Sequence, residues 1–152
     1  MDKIFVDSGI FVTHCMTGDT KLIKLLEKYE LFTTPNVIEE SFYKSLFLRT
    51  ETVYGKSSKY MLKEKYQKEQ TNFEPIYRYF TDFIKQLILF DTLNIVPIDS
   101  DIILSSIELS WKCNLLPNDA LITAACKHYG IKKIATLDRD FKRVKFLKII
   151  EL

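Results

Sequence analysis

Leu116-Pro-Asn-Asp-Ala-Leu-Ile-Thr-Ala-Ala-Cys-Lys-His-Tyr-Gly130, continued by Ile131-Lys-Lys-Ile-Ala-Thr-Leu-Asp-Arg-Asp-Phe141, reads as a helix, a tight turn, a strand and an acidic loop. Pro117 can begin a helix but not continue one, Asn118 is a good N-cap, and Gly130 offers the left-handed backbone that ends it. Asp119 then falls in the first turn, where free N–H groups and the helix dipole stabilise a carboxylate whatever else it does. From Ala120 to Tyr129 the helix is apolar except for Thr123, Lys127 and His128, so it is expected to be buried with one acid at its end. The strand Lys133 to Thr136 delivers Asp138 and Asp140 just past its carboxyl end. In open α/β sheets that edge is where ligands bind.

The start of the chain repeats the arrangement. Lys3-Ile-Phe-Val-Asp-Ser-Gly9 is a β-branched and aromatic run ending in Asp7 and a turn. Asp7 or Ser8 can cap the helix that follows, and Asp7 can equally serve a site at the strand end. Ile10 to Met16 is expected to be helical, Gly18-Asp19 breaks it, and Thr20 to Tyr29 resumes with Leu22, Ile23, Leu25 and Leu26 on a buried side. Leu31 to Thr33 is a second strand. Thr34 can cap and Pro35 can occupy the first turn of a helix from Asn36 to Leu48, which shows Glu39 and Glu40 near its start. Spacing alone does not choose between those two acids.

Two further helical stretches follow. Lys56 to Gln70 interleaves Lys56, Lys59, Lys63, Lys65 and Lys68 with Tyr60 and Tyr66, either as a solvated face or as a surface for an RNA backbone. Phe73, Ile76, Tyr77, Phe80, Phe83, Ile84, Leu87 and Ile88 make one wide apolar stripe, which must be covered by the core or by a partner. Leu93 to Pro97 is a third strand and Asp99 to Cys113 a helix, with Asp99 and Asp101 as reserve acids past a strand end. Leu147 to Ile150 is a last strand. Strands separated by helices indicate α/β: a three-layer α/β/α sandwich with a mainly parallel central sheet and a helical insertion at about residues 49–90.

Composition narrows the classes. A chain of 152 residues, 47% hydrophobic, can bury one core, so one domain over 1–152 is expected. Lys and Arg number 22 against 20 acids, so total charge announces no polyanionic partner. Three cysteines, Cys15, Cys113 and Cys126, at scattered spacing disfavour a disulfide framework and a zinc site and fit a reducing cytoplasm. No apolar run is long enough to span a bilayer, no signal-peptide pattern opens the chain, and four glycines leave no room for a Gly-rich phosphate loop. A cytoplasmic protein with no membrane partner is expected.

In order, Ile4-Phe-Val-Asp7-Ser, Thr34-Pro-Asn-Val-Ile-Glu-Glu40, Asn118-Asp119-Ala-Leu-Ile-Thr-Ala-Ala and Ala135-Thr-Leu-Asp138-Arg-Asp-Phe141 resemble the blocks of a PIN domain. The small toxin nucleases of the VapC type are its best-known compact members. The resemblance covers Met1 to about Leu48 and about Asp91 to Leu152. It implies a metal-dependent ribonuclease with three or four acids around Mg²⁺ or Mn²⁺, acting on RNA either as a toxin held by an antitoxin protein or alone in RNA processing, while the Phe73 to Ile88 stripe points to a partner or a homodimer. It also favours Glu40 over Glu39.

On this reading Asp7 and Asp119 are the principal ligands, Glu40 and Asp138 bind directly or through water, and Asp140 is a spare or outer acid. Carboxylates gathered this closely repel one another, and a hard divalent cation with all-oxygen ligands removes the conflict. Ser8 and Thr136 are expected to orient the acids and border the substrate. Seven basic residues between Lys132 and Lys148, among them Arg139, Lys142 and Arg143, offer phosphate contacts beside the acidic loop. Two competing readings stand beside this one. A phosphatase of the haloacid-dehalogenase type lacks its second acid at Asp7-Ser8-Gly9. A catalytically silent PIN-like module would bind RNA or protein on the same fold.

Overall fold

A computed structural model describes residues 1–152. The first strand, β1 (Asp2–Val6), carries Ile4, Phe5 and Val6, all fully buried. Three consecutive apolar side chains leave no solvated face, as expected of a central parallel strand covered on both sides. It pairs with β2 (Tyr29–Thr33) through Ile4 opposite Leu31 and with β4 (Lys133–Ala135) through Phe5 opposite Ile134. β3 (Leu93–Ile95) and β5 (Lys148–Ile149) form the edges of a five-stranded sheet in the order β3-β2-β1-β4-β5, with every pairing parallel. The mainly parallel sheet expected from the sequence is thus wholly parallel.

The order matters more than the count. Connections run outward from β1 to β2 and β3, then return past β1 to β4 and β5. Right-handed crossovers therefore put the helices before β3 on one face and those after it on the other. The reversal falls between β1 and β4, the topological switch point where doubly wound sheets open a crevice at their carboxyl edge.

On the first face lie α1 (Ser8–Thr17), α2 (Lys21–Lys28) and α3 (Pro35–Tyr54). α3 runs six residues beyond the expected end at Leu48, because nothing breaks it before Gly55, whose φ of 80° closes the helix. Thr34 occupies its cap position, but the hydroxyl makes no capping bond. In α2, Leu22 and Leu25 are buried as expected, whereas Ile23 is exposed.

The insertion is not one long stripe. After α4 (Lys59–Lys68), capped by Ser58, come a 3₁₀ turn over Gln70–Phe73, α5 (Glu74–Arg78), a π-helical turn over Tyr79–Phe83 and α6 (Ile84–Leu89). Pro75 starts α5 afresh, since it has no N–H to continue the preceding turn. The stripe turns inward. Ile84 and Leu87 join the main core, while Phe73 and Ile76 close a smaller one with Leu46 and Leu62. The chain itself covers these four, whereas Tyr77 and Ile88 of the same stripe remain exposed. Two of the four lysines of α4 are engaged locally: Lys65 pairs with Glu69 at 2.8 Å and lies over the Tyr54 ring, and Lys68 faces Glu64.

On the other face, α7 (Ser100–Cys113) packs against α8 (Pro117–His128). Asp99 caps α7 by accepting from the Ile102 N–H at 2.9 Å. Asn118 does not cap α8. Pro117 takes the first helical position, which moves the cap to Leu116 and leaves the Asn118 amide free to act elsewhere. Gly130, at φ 68°, turns the chain into β4.

Ile4 sits in the central strand with no exposed surface. Ile4→Ala is expected to lower the unfolding free energy by about 2–5 kcal/mol. Urea denaturation followed by circular dichroism measures this, and a loss below about 1 kcal/mol would contradict the packing.

Candidate active site

Asp7 closes β1. Its N–H donates to the Ala135 carbonyl at 3.0 Å, extending the β1–β4 ladder by one rung and fixing the acid at the switch point. Both carboxylate oxygens are held: Oδ1 accepts from the Ser8 N–H at 2.7 Å and Oδ2 from the Thr136 hydroxyl at 2.6 Å. Asp7 is thus a helix cap and a site acid at once. Thr136 passes the order on, because its oxygen accepts from the Asp138 N–H at 3.0 Å. Asp138 Oδ1 in turn accepts from the Asp140 N–H at 2.8 Å, capping the 3₁₀ turn Arg139–Arg143.

Glu40 reaches the same place from α3, while Glu39 is exposed. Glu40 Oε1 pairs with Lys44 Nζ at 3.0 Å, one turn on, and Oε2 accepts from Asn118 Nδ2 at 3.1 Å. Asn118 Oδ1 accepts from Asn36 Nδ2 at 2.8 Å, so the two helix starts are tied together beside the site. Asp119, in the first turn of α8, brings its carboxylate to those of Asp138 and Asp140, with ligand oxygens within 4.8 Å of one another.

Asp7, Glu40, Asp119 and Asp138 line one cavity of about 550 Å³, with Ser8, Lys44, Asn118 and Arg139. Lys142 and Arg139 border an adjoining hollow with Thr136 and Asp138. Arg143 is not on either wall: it donates to the Asn114 carbonyl at 2.9 Å and faces Asp140 at 3.5 Å. The reserve acids Asp99 and Asp101 also lie off the cavity, in the start of α7. The three cysteines are free and off the wall, and burial raises the Cys126 thiol well above its usual range, which makes it inert filling.

Sequence reasoning missed Lys44, Asn118 in its bridging role, and Asn36. The four-residue spacing from Glu40 to Lys44 is a readable signal, but one common on any exposed helix.

The electrostatics follow from crowding. Burial, then the charges of Asp138, Asp7, Asp140 and Glu40, push Asp119 up to about 6. Asp7 is also raised, because burial outweighs the hydrogen bonds from Thr136 and Ser8. Oxygen donors drawn from several segments, with neither His nor Cys among them, fit a hard divalent cation.

Fold and site together define an α/β protein with a cluster of acids at the switch point of a parallel sheet. The chain belongs to the PIN domain family, whose profile matches residues 4–147. It is 35% identical over 156 residues to Ribonuclease VapC2 of Methanocaldococcus jannaschii, covering 99% of this chain and 95% of that protein. It is 33% identical to Ribonuclease VapC6 of the same organism over 154 residues, covering 98% and 97%. Among solved structures, a toxin-antitoxin complex from Klebsiella pneumoniae shares the fold, with a TM-score of 0.59, 16% identity and coverage of 97% of this chain and 96% of that one.

The raised acids set a pH dependence. A carboxyl whose pKa rises on folding binds more protons folded than unfolded, so its contribution turns unfavourable as pH climbs from about 3.8 through about 6. Asp119→Asn is therefore expected to be more stable than wild type at pH 7 in metal-free buffer, by about 1 kcal/mol given solvent screening of the half-buried group. The gap should close near pH 4. Guanidinium titrations at both pH values measure it, and a variant less stable at pH 7 would contradict the crowding.

Proposed function

We propose that this chain is an Mg²⁺- or Mn²⁺-dependent endoribonuclease that hydrolyses RNA phosphodiester bonds as the toxin of a toxin-antitoxin pair, in one catalytic domain over residues 1–152. One observation carries the reading: acids from four separate segments converge on one cavity at the switch point, in a chain 35% identical to Ribonuclease VapC2. Asp7 and Asp119 are the principal ligands, Glu40 and Asp138 bind directly or through water, and Asp140 is an outer acid. When bound, the ion supplies Lewis-acid stabilisation of phosphoryl charge and lowers the pKa of water for attack. Ser8 and Thr136 hold Asp7 and, through it, the geometry of the set. Arg139 and Lys142 flank the acids and meet substrate phosphates, whereas Arg143 positions the acidic turn.

An antitoxin protein as partner is supported by the fold shared with the Klebsiella toxin-antitoxin complex. A homodimer is supported by Ile103, Leu104, Ile107 and Trp111, apolar side chains that α7 turns outward, with Trp111 88% exposed. No helix is long and apolar enough to cross a membrane, in keeping with a cytoplasmic enzyme.

Thermal unfolding with Mn²⁺ tests the site without knowledge of the RNA target. At a hundred times Kd the melting temperature of wild type should rise by about 5–10 °C. Asp119→Asn should lose both this rise and any Mn²⁺-dependent cleavage of cellular RNA. No rise at saturating Mn²⁺ would overturn the metal site, and cleavage unaffected by the substitution would overturn the role of Asp119. Sedimentation tests the dimer: wild type should sediment as a dimer and Trp111→Glu as a monomer, and a monomeric wild type would overturn it.

A further inference from the structure

Lys44 stands between two hollows. On one side is the acid-lined cavity; on the other is an apolar pocket of about 460 Å³ walled by Val12, Tyr43, Phe47, Leu48 and Leu137. Gly9 and Leu137 belong to both walls as well, so the two are continuous. A Cβ on Gly9 would stand 3.1 Å from Leu137 Cδ1, and its absence is what lets the loop after β4 lie against α1 and form the shared rim.

The ammonium of Lys44 is placed by two elements. It pairs with Glu40 at 3.0 Å on its own helix and donates to Ser8 Oγ at 3.2 Å on α1. An ammonium has three donors, and with two engaged and the side chain half exposed the third is open to the cavity. This is more than an ordinary pair between residues four apart, because Ser8 also donates its N–H to Asp7. Beyond Lys44, the polar side chains of the adjoining pocket are Thr13, whose hydroxyl donates to the Gly9 carbonyl at 2.9 Å, and Tyr43, which keeps 40% of its surface in solvent at the edge. A flat ring beside a cation is the pairing that single-stranded nucleic acids use, phosphate on the charge and base on the ring.

We infer that Lys44 and the Tyr43 pocket form the subsite for one nucleotide adjoining the scissile bond. Lys44 holds its phosphate and Tyr43 stacks its base. This rests on the nuclease reading above. With the Thr13 hydroxyl turned to the backbone of its own helix and the other walls largely apolar, the subsite contributes affinity more than sequence choice. A protein side chain from a partner could fill the same apolar space, but continuity with the cation and the acid cavity favours a nucleotide, whose phosphate and base need both compartments together.

Binding of a phosphorothioate 2′-O-methyl uridine dodecamer to the Mn²⁺-loaded protein, followed by fluorescence anisotropy over a range of salt, tests the subsite without turnover. Lys44→Gln should weaken binding and reduce the log–log salt slope by about 0.7, the value of one phosphate contact, with Lys44→Arg restoring it. Tyr43→Ala should weaken binding roughly five- to a hundredfold at unchanged slope, with Tyr43→Phe near wild type. The Mn²⁺-induced rise in melting temperature should persist in every variant. An unchanged slope in Lys44→Gln, or wild-type affinity in Tyr43→Ala, would overturn the subsite, the latter leaving the pocket to a protein partner. Loss of the Mn²⁺ rise in Lys44→Gln would overturn it too, since Lys44 would then act by holding Glu40. A wild type that shows the rise but binds no oligomer sinks the subsite alone; a wild type with no rise sinks the nuclease reading and the subsite with it.

Discussion

The hydrogen bond from the Asp7 N–H to the Ala135 carbonyl joins the ends of β1 and β4 at the point where the sheet reverses its order. Everything acidic in the site is measured from that rung. Thr136, next after Ala135, bonds to the Asp7 carboxylate and receives the Asp138 N–H, so one chain of hydrogen bonds joins two strand ends and the acidic turn. The core behind them is fully buried, with Ile4, Phe5, Val6, Ile134 and Ala135 leaving no slack for the rung to slip. A one-residue shift would exchange every side chain between faces and take Asp7 out of the crevice.

Holding acids together opposes stability, and the fold shows where it compensates. Asp7 receives two hydrogen bonds, Glu40 receives an ammonium and an amide, and Asp138 receives the Asp140 N–H. Asp119 sits at a helix start, where the dipole helps a charge, yet burial and four neighbouring acids still raise it. Asp119 is thus the acid whose carboxylate receives the least compensation from the fold. Crowding of this kind is the usual trade between stability and function.

Much of this was legible in the sequence for a physical reason. Strands bounded by turns are legible at Lys3 to Val6 and Lys133 to Thr136, which places Asp7 and Asp138 past strand ends, while their choice as site acids comes with the PIN resemblance. Glu39 and Glu40 could not be separated by spacing, because adjacent helical residues point about 100° apart and the rotation of α3 is set by the sheet beneath it. Asn118 was misread as a cap because cap preference is local, whereas Pro117 displaced it by one position and Glu40, 78 residues away, claimed its amide. The Phe73 to Ile88 stripe is legible as apolar but not as divided: with Pro75 and the π turn between its parts, Phe73, Ile76, Ile84 and Leu87 are buried in two cores and Tyr77 and Ile88 stay exposed.

The basic residues show why net charge is a poor guide to a polyanion partner. Lys133 is paired with Asp2 and lies over Tyr29, Lys65 is held by Glu69, Lys112 by Glu108, and Arg143 by Asp140 and a carbonyl. Those cations are spent on the fold, and a phosphate would have to break a contact to reach them. Arg139 and Lys142 carry no ion pair and border a hollow next to the acids, and Lys44, although paired with Glu40, keeps half its side chain exposed at the wall of the acid-lined cavity. On the proposed reading, a cation held among the acids would offset their charge and leave these three basic side chains to face a phosphodiester, so substrate binding would follow metal binding as a consequence of charge.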